Sequence, residues 1–210
     1  MTGTVYLLLA LAAIAAMFDW WAVLRDHLGV EFIAKPMVIV SFIGVALEIE
    51  TTDNVVRGIV IAALGASLVG DVVLMTPDAR FEAGLLAFLV AHVFYIIALI
   101  PDFNVGPALA AGILVVAIGF GVVPELFEAV RRHGRVATVG VAVYMAALAF
   151  MTVLAAGTGA LAAALGGALF LASDALLGWS RFVAPAPGGR VLVHVTYHFA
   201  QLGLVLWLAS

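Results

Sequence analysis

Residues 55–75 read VVRGIVIAALGASLVGDVVLM. Beyond Arg57 this stretch holds a single ionisable residue, Asp71, with no basic residue beside it. About 20 consecutive apolar residues match the length of a helix that crosses a bilayer. A carboxylate inside such a helix is costly, roughly 2.5–3.5 kcal/mol even on the lenient insertion scale, and normally marks function. The run therefore fixes the solvent and raises a question about Asp71.

The rest of the chain has the same character. Of 210 residues 66% are hydrophobic and 10% charged, with a mean hydropathy of +1.24. Soluble domains carry about 25% charged residues, so a water-soluble fold is excluded. Eight spans can be drawn, at 4–24, 35–50, 55–75, 82–100, 107–127, 136–156, 159–179 and 190–209. The expected fold is all-α: a single domain, residues 1–210, folded as a bundle of eight transmembrane helices. Pro36 is expected in the first turn of the second span. Pro77, Pro101, Gly106, Pro185, Pro187, Gly188 and Gly189 punctuate the connections. The Ala/Gly-rich run AGTGALAAALGGALF (156–170) suits close helix packing in lipid. The first run follows MTGT, without a basic segment, and continues into FDWW without a small-residue cleavage site. It is read as a retained span.

Charge sets the expected topology. Arg25, Lys35, Arg80, Arg131, Arg132, Arg135, Arg181 and Arg190 fall in or beside the first, third, fifth and seventh connections, whereas Arg57 alone falls on the other side. By the positive-inside rule those four connections are cytoplasmic and both termini are not. Trp20 and Trp21 then sit at the cytoplasmic interface, and Asp19 beside them reads as interfacial. No basic cluster suggests nucleic acid. The absence of cysteine excludes disulfides and thiolate chemistry.

With that topology the polar residues share one half of the membrane. Asp71 lies four residues from the cytoplasmic end of its span and Asp174, in FLASDALLG, five from the end of its own. Lys35, His194, Tyr197, His198 and Gln201 enter from the same side, with His92, Tyr95 and Tyr144 deeper. This is the layout of a polar cavity facing the cytoplasmic leaflet. Two carboxyls in a poorly polarisable site disfavour joint ionisation, so one keeps its proton as a general acid while the other orients water as a base. Lys35 would favour the ionised partner or bind a lipid phosphate. Competing readings are near-interface aspartates that merely pair with a cation, and core hydrogen bonds for residues such as His92 and Tyr144.

Other chemistries leave weaker traces. His194 and His198, spaced i and i+4, could join His92 and an aspartate around zinc, but Val195 stands where a metalloprotease glutamate would follow the first histidine. No metal or cofactor is expected. No dinucleotide fingerprint, P-loop or serine elbow occurs. A proton-coupled transporter of lipid or small solutes is the alternative of a different class, against which stands the lack of a visible inverted repeat.

Taken in order, LVGDVVLM…FEAGLLAFLVAHVFYI, GGALFLASDALLGWSRF and TYHFAQ, with Lys35–Pro36 and Tyr144–Met145, resemble the YhhN-like lysoplasmalogenase family over nearly the whole chain. The resemblance implies an eight-helix membrane hydrolase that takes a lysophospholipid from the surrounding membrane lipids of the cell membrane. Such enzymes cleave its vinyl ether to a fatty aldehyde and glycerophosphocholine or glycerophosphoethanolamine. The family's acidic pair maps onto Asp71 and Asp174. Lys35, His92, Tyr95, Tyr144, Tyr197, His198 and Gln201 become supporting or substrate-binding residues, and His198 departs from the aromatic residue expected at its place.

The topology is directly testable. Reporter fusions at Ser210 should be active only outside the cytoplasm; activity confined to the cytoplasm would reverse the assignment of every connection.

Overall fold

The computed structural model describes residues 2–51, 53–76, 81–186 and 188–210. Pro77, Arg80 and Pro187 lie outside the described residues. Eight helices follow one another: α1 Gly3–Leu24, α2 Leu28–Glu48, α3 Asn54–Met75, α4 Phe81–Leu99, α5 Val105–Arg131, α6 Arg135–Gly157, α7 Leu161–Phe182 and α8 Gly189–Leu206. Short 3-10 turns at Ile100–Asp102 and Trp207–Ala209 extend α4 and α8. All eight are long and apolar enough to cross a membrane, and no strand occurs among the described residues. The protein is a multi-pass membrane protein of all-α class.

Local chemistry sets the helix ends. The Asp53 carboxylate accepts from the Val55 and Val56 backbone N–H groups at 2.8 and 3.0 Å, capping α3. Pro101 occupies the 3-10 turn that ends α4. Gly188, at φ +73°, turns the chain into α8 in a conformation that a side chain would strain.

One boundary differs from the sequence expectation in a way that matters. The second helix begins at Leu28, so Pro36 sits inside it and not in its first turn. The expected span begins at Lys35, with Pro36 in its first turn and residues 25–34 in a connection that also carries Glu31. Glu31 and Lys35 are both buried against partners from other helices, and that pairing permits the helix to begin earlier.

The packing order is a ring. α1 lies against α2, α2 against α3, α3 against α4, α4 against α6, α6 against α7, α7 against α8, and α8 returns to α1 and α2. α5 stands outside the ring on α6 and α7. It buries only Ala108, Leu126 and Val130 and exposes Ile113, Leu114, Val116 and Phe120. On a soluble protein such a surface would be a liability; here lipid covers it.

Association in lipid gains little from apolar burial, because lipid tails are as apolar as Leu, so close approach of backbones carries the packing. A seam of direct backbone contact joins α7 and α8. A Cβ added at Gly203 would lie 2.6 Å from the Ala162 carbonyl oxygen and 2.9 Å from the Gly166 Cα, and one at Gly166 would meet the Leu204 nitrogen at 2.9 Å. These are backbone atoms that cannot turn aside. The Thr152 hydroxyl, donating to the Gly167 carbonyl at 3.2 Å, ties α6 to the same helix. Gly203→Val should therefore cost at least about 1–3 kcal/mol, read as a lowered midpoint of thermal unfolding in detergent. An unchanged midpoint would show that α7 and α8 do not meet at this seam.

Candidate active site

The ends of α2, α3, α7 and α8 surround a cavity of about 680 Å³ whose lining includes Glu31, Lys35, Asp71, Ser173, Asp174, Arg190, His194 and Tyr197. Each aspartate projects from a helix whose neighbour offers it a partner, but the partners differ in charge.

Asp71 is fully buried. Its Oδ1 lies 2.9 Å from the Lys35 Nζ, and its Oδ2 accepts from the Tyr197 hydroxyl at 2.8 Å. The ammonium of Lys35 also sits 5.4 Å from the centre of the Tyr197 ring, within cation–π range. Asp71 is thus a carboxylate with a counterion and a hydrogen-bond donor. Gly70 makes room beside it: a Cβ there would stand 2.7 Å from the Phe88 ring of α4, which would have to shift.

Asp174 has neutral company. It accepts a hydrogen bond from the Tyr144 hydroxyl, and the His92 Nε2 lies 3.7 Å from its Oδ2, beyond hydrogen-bond distance. Among the described residues neither His92 ring nitrogen has a hydrogen-bond partner. The ring is instead held edge-on to Tyr144 and Phe170, at 5.0 and 4.8 Å between centres. Among the described residues no lysine or arginine lies within ion-pair distance of Asp174.

The remaining residues picked out from the sequence stand back from the cavity. Tyr95 donates to the Gln201 Oε1 at 2.5 Å in the buried interior, and neither residue lines the cavity. His198 faces α1, where its Nδ1 accepts from the Trp20 indole N–H at 3.1 Å.

Three charged residues were not singled out for the site and belong beside it. Asp19, read as interfacial, is fully buried, with its Oδ2 2.7 Å from the His194 Nδ1. Glu31, also buried, receives the Arg190 guanidinium and lies 3.9 Å from the His194 Nε2. Arg190 was read only as a topology charge. The cost of a charge in an apolar run, applied to Asp71, applies equally to Asp19 and would have found it, whereas Glu31 stands in a segment between the apolar runs and Arg190 at the edge of one. Among the described residues no group of three or more His, Asp or Glu is arranged to hold a metal ion; the Asp19 Oδ2 faces the His194 Nδ1 at 2.7 Å and the His198 Nε2 at 3.9 Å.

The family profile of YhhN matches residues 30–208. The chain belongs to the YhhN family. Human lysoplasmalogenase TMEM86B is 32% identical to it over 144 residues, covering 69% of this chain and 60% of that protein. Human lysoplasmalogenase TMEM86A is 33% identical over 159 residues, covering 67% and 60%, and pig lysoplasmalogenase TMEM86B 33% over 140 residues, covering 67% and 58%. The chain thus spans about three fifths of the length of these relatives. No solved structure matches it.

The buried pair yields a stability test. Removing one partner of a buried ion pair strands the other charge and costs about 3–5 kcal/mol, whereas neutralising both costs less. Lys35→Met should lower the thermal midpoint more than the double variant Lys35→Met/Asp71→Asn does. A double variant no better than the single would show that the two side chains do not share their charge.

Proposed function

We propose that this YhhN-family protein is a lysoplasmalogenase, hydrolysing the vinyl ether of a 1-alkenyl lysophospholipid to a fatty aldehyde and the glycerophospho-head alcohol, with Asp174 as the acid and Asp71 as the carboxylate. The observation that carries this reading is the contrast within one cavity: Asp71 beside the Lys35 ammonium at 2.9 Å, Asp174 beside the neutral Tyr144 and His92. The relatives named lysoplasmalogenases supply the bond to be broken.

A cation in contact favours the charged form of a carboxyl, while low-dielectric surroundings without one favour the neutral form. Asp174 accordingly holds the proton. It donates that proton to the β-carbon of the vinyl ether, and the C=C electron pair forms the new C–H bond, leaving an oxocarbenium ion at the carbon that bears oxygen. Asp71 stabilises this cation as a fixed negative charge, and Lys35 and Tyr197 keep it in place. Water adds to the oxocarbenium carbon and returns a proton to Asp174. The resulting hemiacetal collapses: Asp174 gives its proton to the glycerol oxygen as that C–O bond breaks, the oxygen leaves as an alcohol, and the hydroxyl proton of the protonated aldehyde passes back to Asp174. One water is consumed and each carboxyl ends as it began, the two-carboxylate logic that glycosidases use on acetals.

Purified protein in detergent, supplied with a defined 1-alkenyl lysophospholipid, should release aldehyde. Asp174→Asn, and Asp71→Asn assayed below its lowered thermal midpoint, should each lower the rate by about 10²–10⁴-fold with a folded size-exclusion profile. More than half the wild-type rate in either variant would overturn this division of labour.

A further inference from the structure

A second cavity, of about 360 Å³, lies against the first and is of opposite character. It runs between α4, α5, α6 and α7, and apart from the Tyr144 hydroxyl and Asp174 its lining is apolar. Leu74, Phe88, Asp174 and Leu177 line both cavities, so the two meet at the carboxyl that, among the described residues, has no counterion. Its size falls in the roughly 300–1,000 Å³ range of ligand sites. One end is stopped: the Phe81 and Phe182 rings meet edge to face at 5.6 Å, with the Arg181 guanidinium 5.1 Å from the Phe81 ring centre. Asp174 is eight residues before Phe182, about 12 Å along the helix axis. The other end, at Val115, Ala149 and Leu171, lies deeper among the helices. One side is open, because among the described residues α5 packs on α6 and α7 and makes no packed interface with α4, although both line the slot.

We propose that this slot binds the hydrocarbon chain of a single-chain phospholipid, which slides in from the bilayer between α4 and α5 and runs from Asp174 toward Val115 and Leu171, resting on the lysoplasmalogenase reading only for the identity of the reacting bond. The polar head then lies in the neighbouring cavity, where Arg190 offers a cation to phosphate and Glu31 a carboxylate to an ammonium group. The bond joining head to chain falls beside Asp174. Transfer from lipid tails to an apolar slot changes the chain's surroundings little, so the slot acts by position: it decides which carbon meets the acid. On this arrangement two-chain lipids are disfavoured. A second acyl chain would have to share the head cavity with Lys35, Glu31 and Arg190.

Gly119 lines the slot, and a Cβ there would meet only its own helix neighbour Val123, at 3.7 Å. Gly119→Phe therefore projects a ring into the slot without a backbone clash. Two measurements separate the place of the chain from the chemistry. In the first, wild-type protein is irradiated with a non-hydrolysable 1-O-alkyl lysophospholipid carrying a diazirine near the end of its chain, and the labelled peptides are mapped. Labels should fall on Val115–Phe127 and Val141–Ala149, and Gly119→Phe should reduce them. Labelling confined to outward-facing residues of other helices, or unaltered by Gly119→Phe, would overturn the chain site. In the second, the ratio of kcat/KM for hexadecenyl over octenyl substrate is compared; Gly119→Phe should lower it by about tenfold or more, and an unchanged ratio would count against the slot. Labelling of the slot in a protein that releases no aldehyde would sink the lysoplasmalogenase reading and leave the chain site standing.

Discussion

Lys35 and Asp71 meet 2.9 Å apart inside a chain that has removed almost every other charge from its spans. In a bilayer neither would be stable alone, and together they hold α2 against α3 while Tyr197 brings in α8. Much of the arrangement depends on that pair. Because Lys35 needs a partner within the protein, α2 can run as a helix through Pro36 with its charged side turned inward. Because Lys35 is taken by Asp71, Asp174 is left with neutral neighbours, and one cavity comes to hold two carboxyls in unlike surroundings.

A second layer of buried charge supports the first. Asp19 on α1 holds His194, Glu31 on α2 holds Arg190, and Trp20 holds His198. Each contact links α8 to one of the two N-terminal helices, where small-residue seams are fewer than between α7 and α8. The two sides of α8 are thus fixed by different physics: backbone contact at Gly166 and Gly203 on one, hydrogen-bonded charge on the other. Buried ion pairs are weak sources of net stability but demand a unique geometry. That suits a wall that must present Tyr197 to Asp71.

The division of the interior into a charged cavity and an apolar slot follows from which helices border each. α2 and α8 bring Glu31, Lys35, Arg190 and His194 to one side of Asp174. α5 and α6 bring valine, alanine and glycine to the other. α5, outside the ring and almost unburied, contributes little to the core and much to the slot. An amphiphile with one charged end and one hydrocarbon end matches this division.

Much was legible in the residues alone. Eight apolar runs of membrane length set the class and the number of helices, because hydrogen bonding within the backbone is obligatory in lipid and length is set by the bilayer. Asp71 and Asp174 stood out because charge in such runs is expensive. Which partner each aspartate takes was not legible: Lys35 is far from Asp71 in sequence, and helix rotation decides that it meets Asp71 and not Asp174. For the same reason Asp19 beside two tryptophans passed as interfacial, and Pro36, taken as a first-turn proline, placed a helical segment in a connection. The sequence states how much each residue costs in lipid, which is a property of the residue and its depth. Only the tertiary structure decides which side chain offsets that cost, because pairing depends on the rotation and contact of helices that no local pattern records.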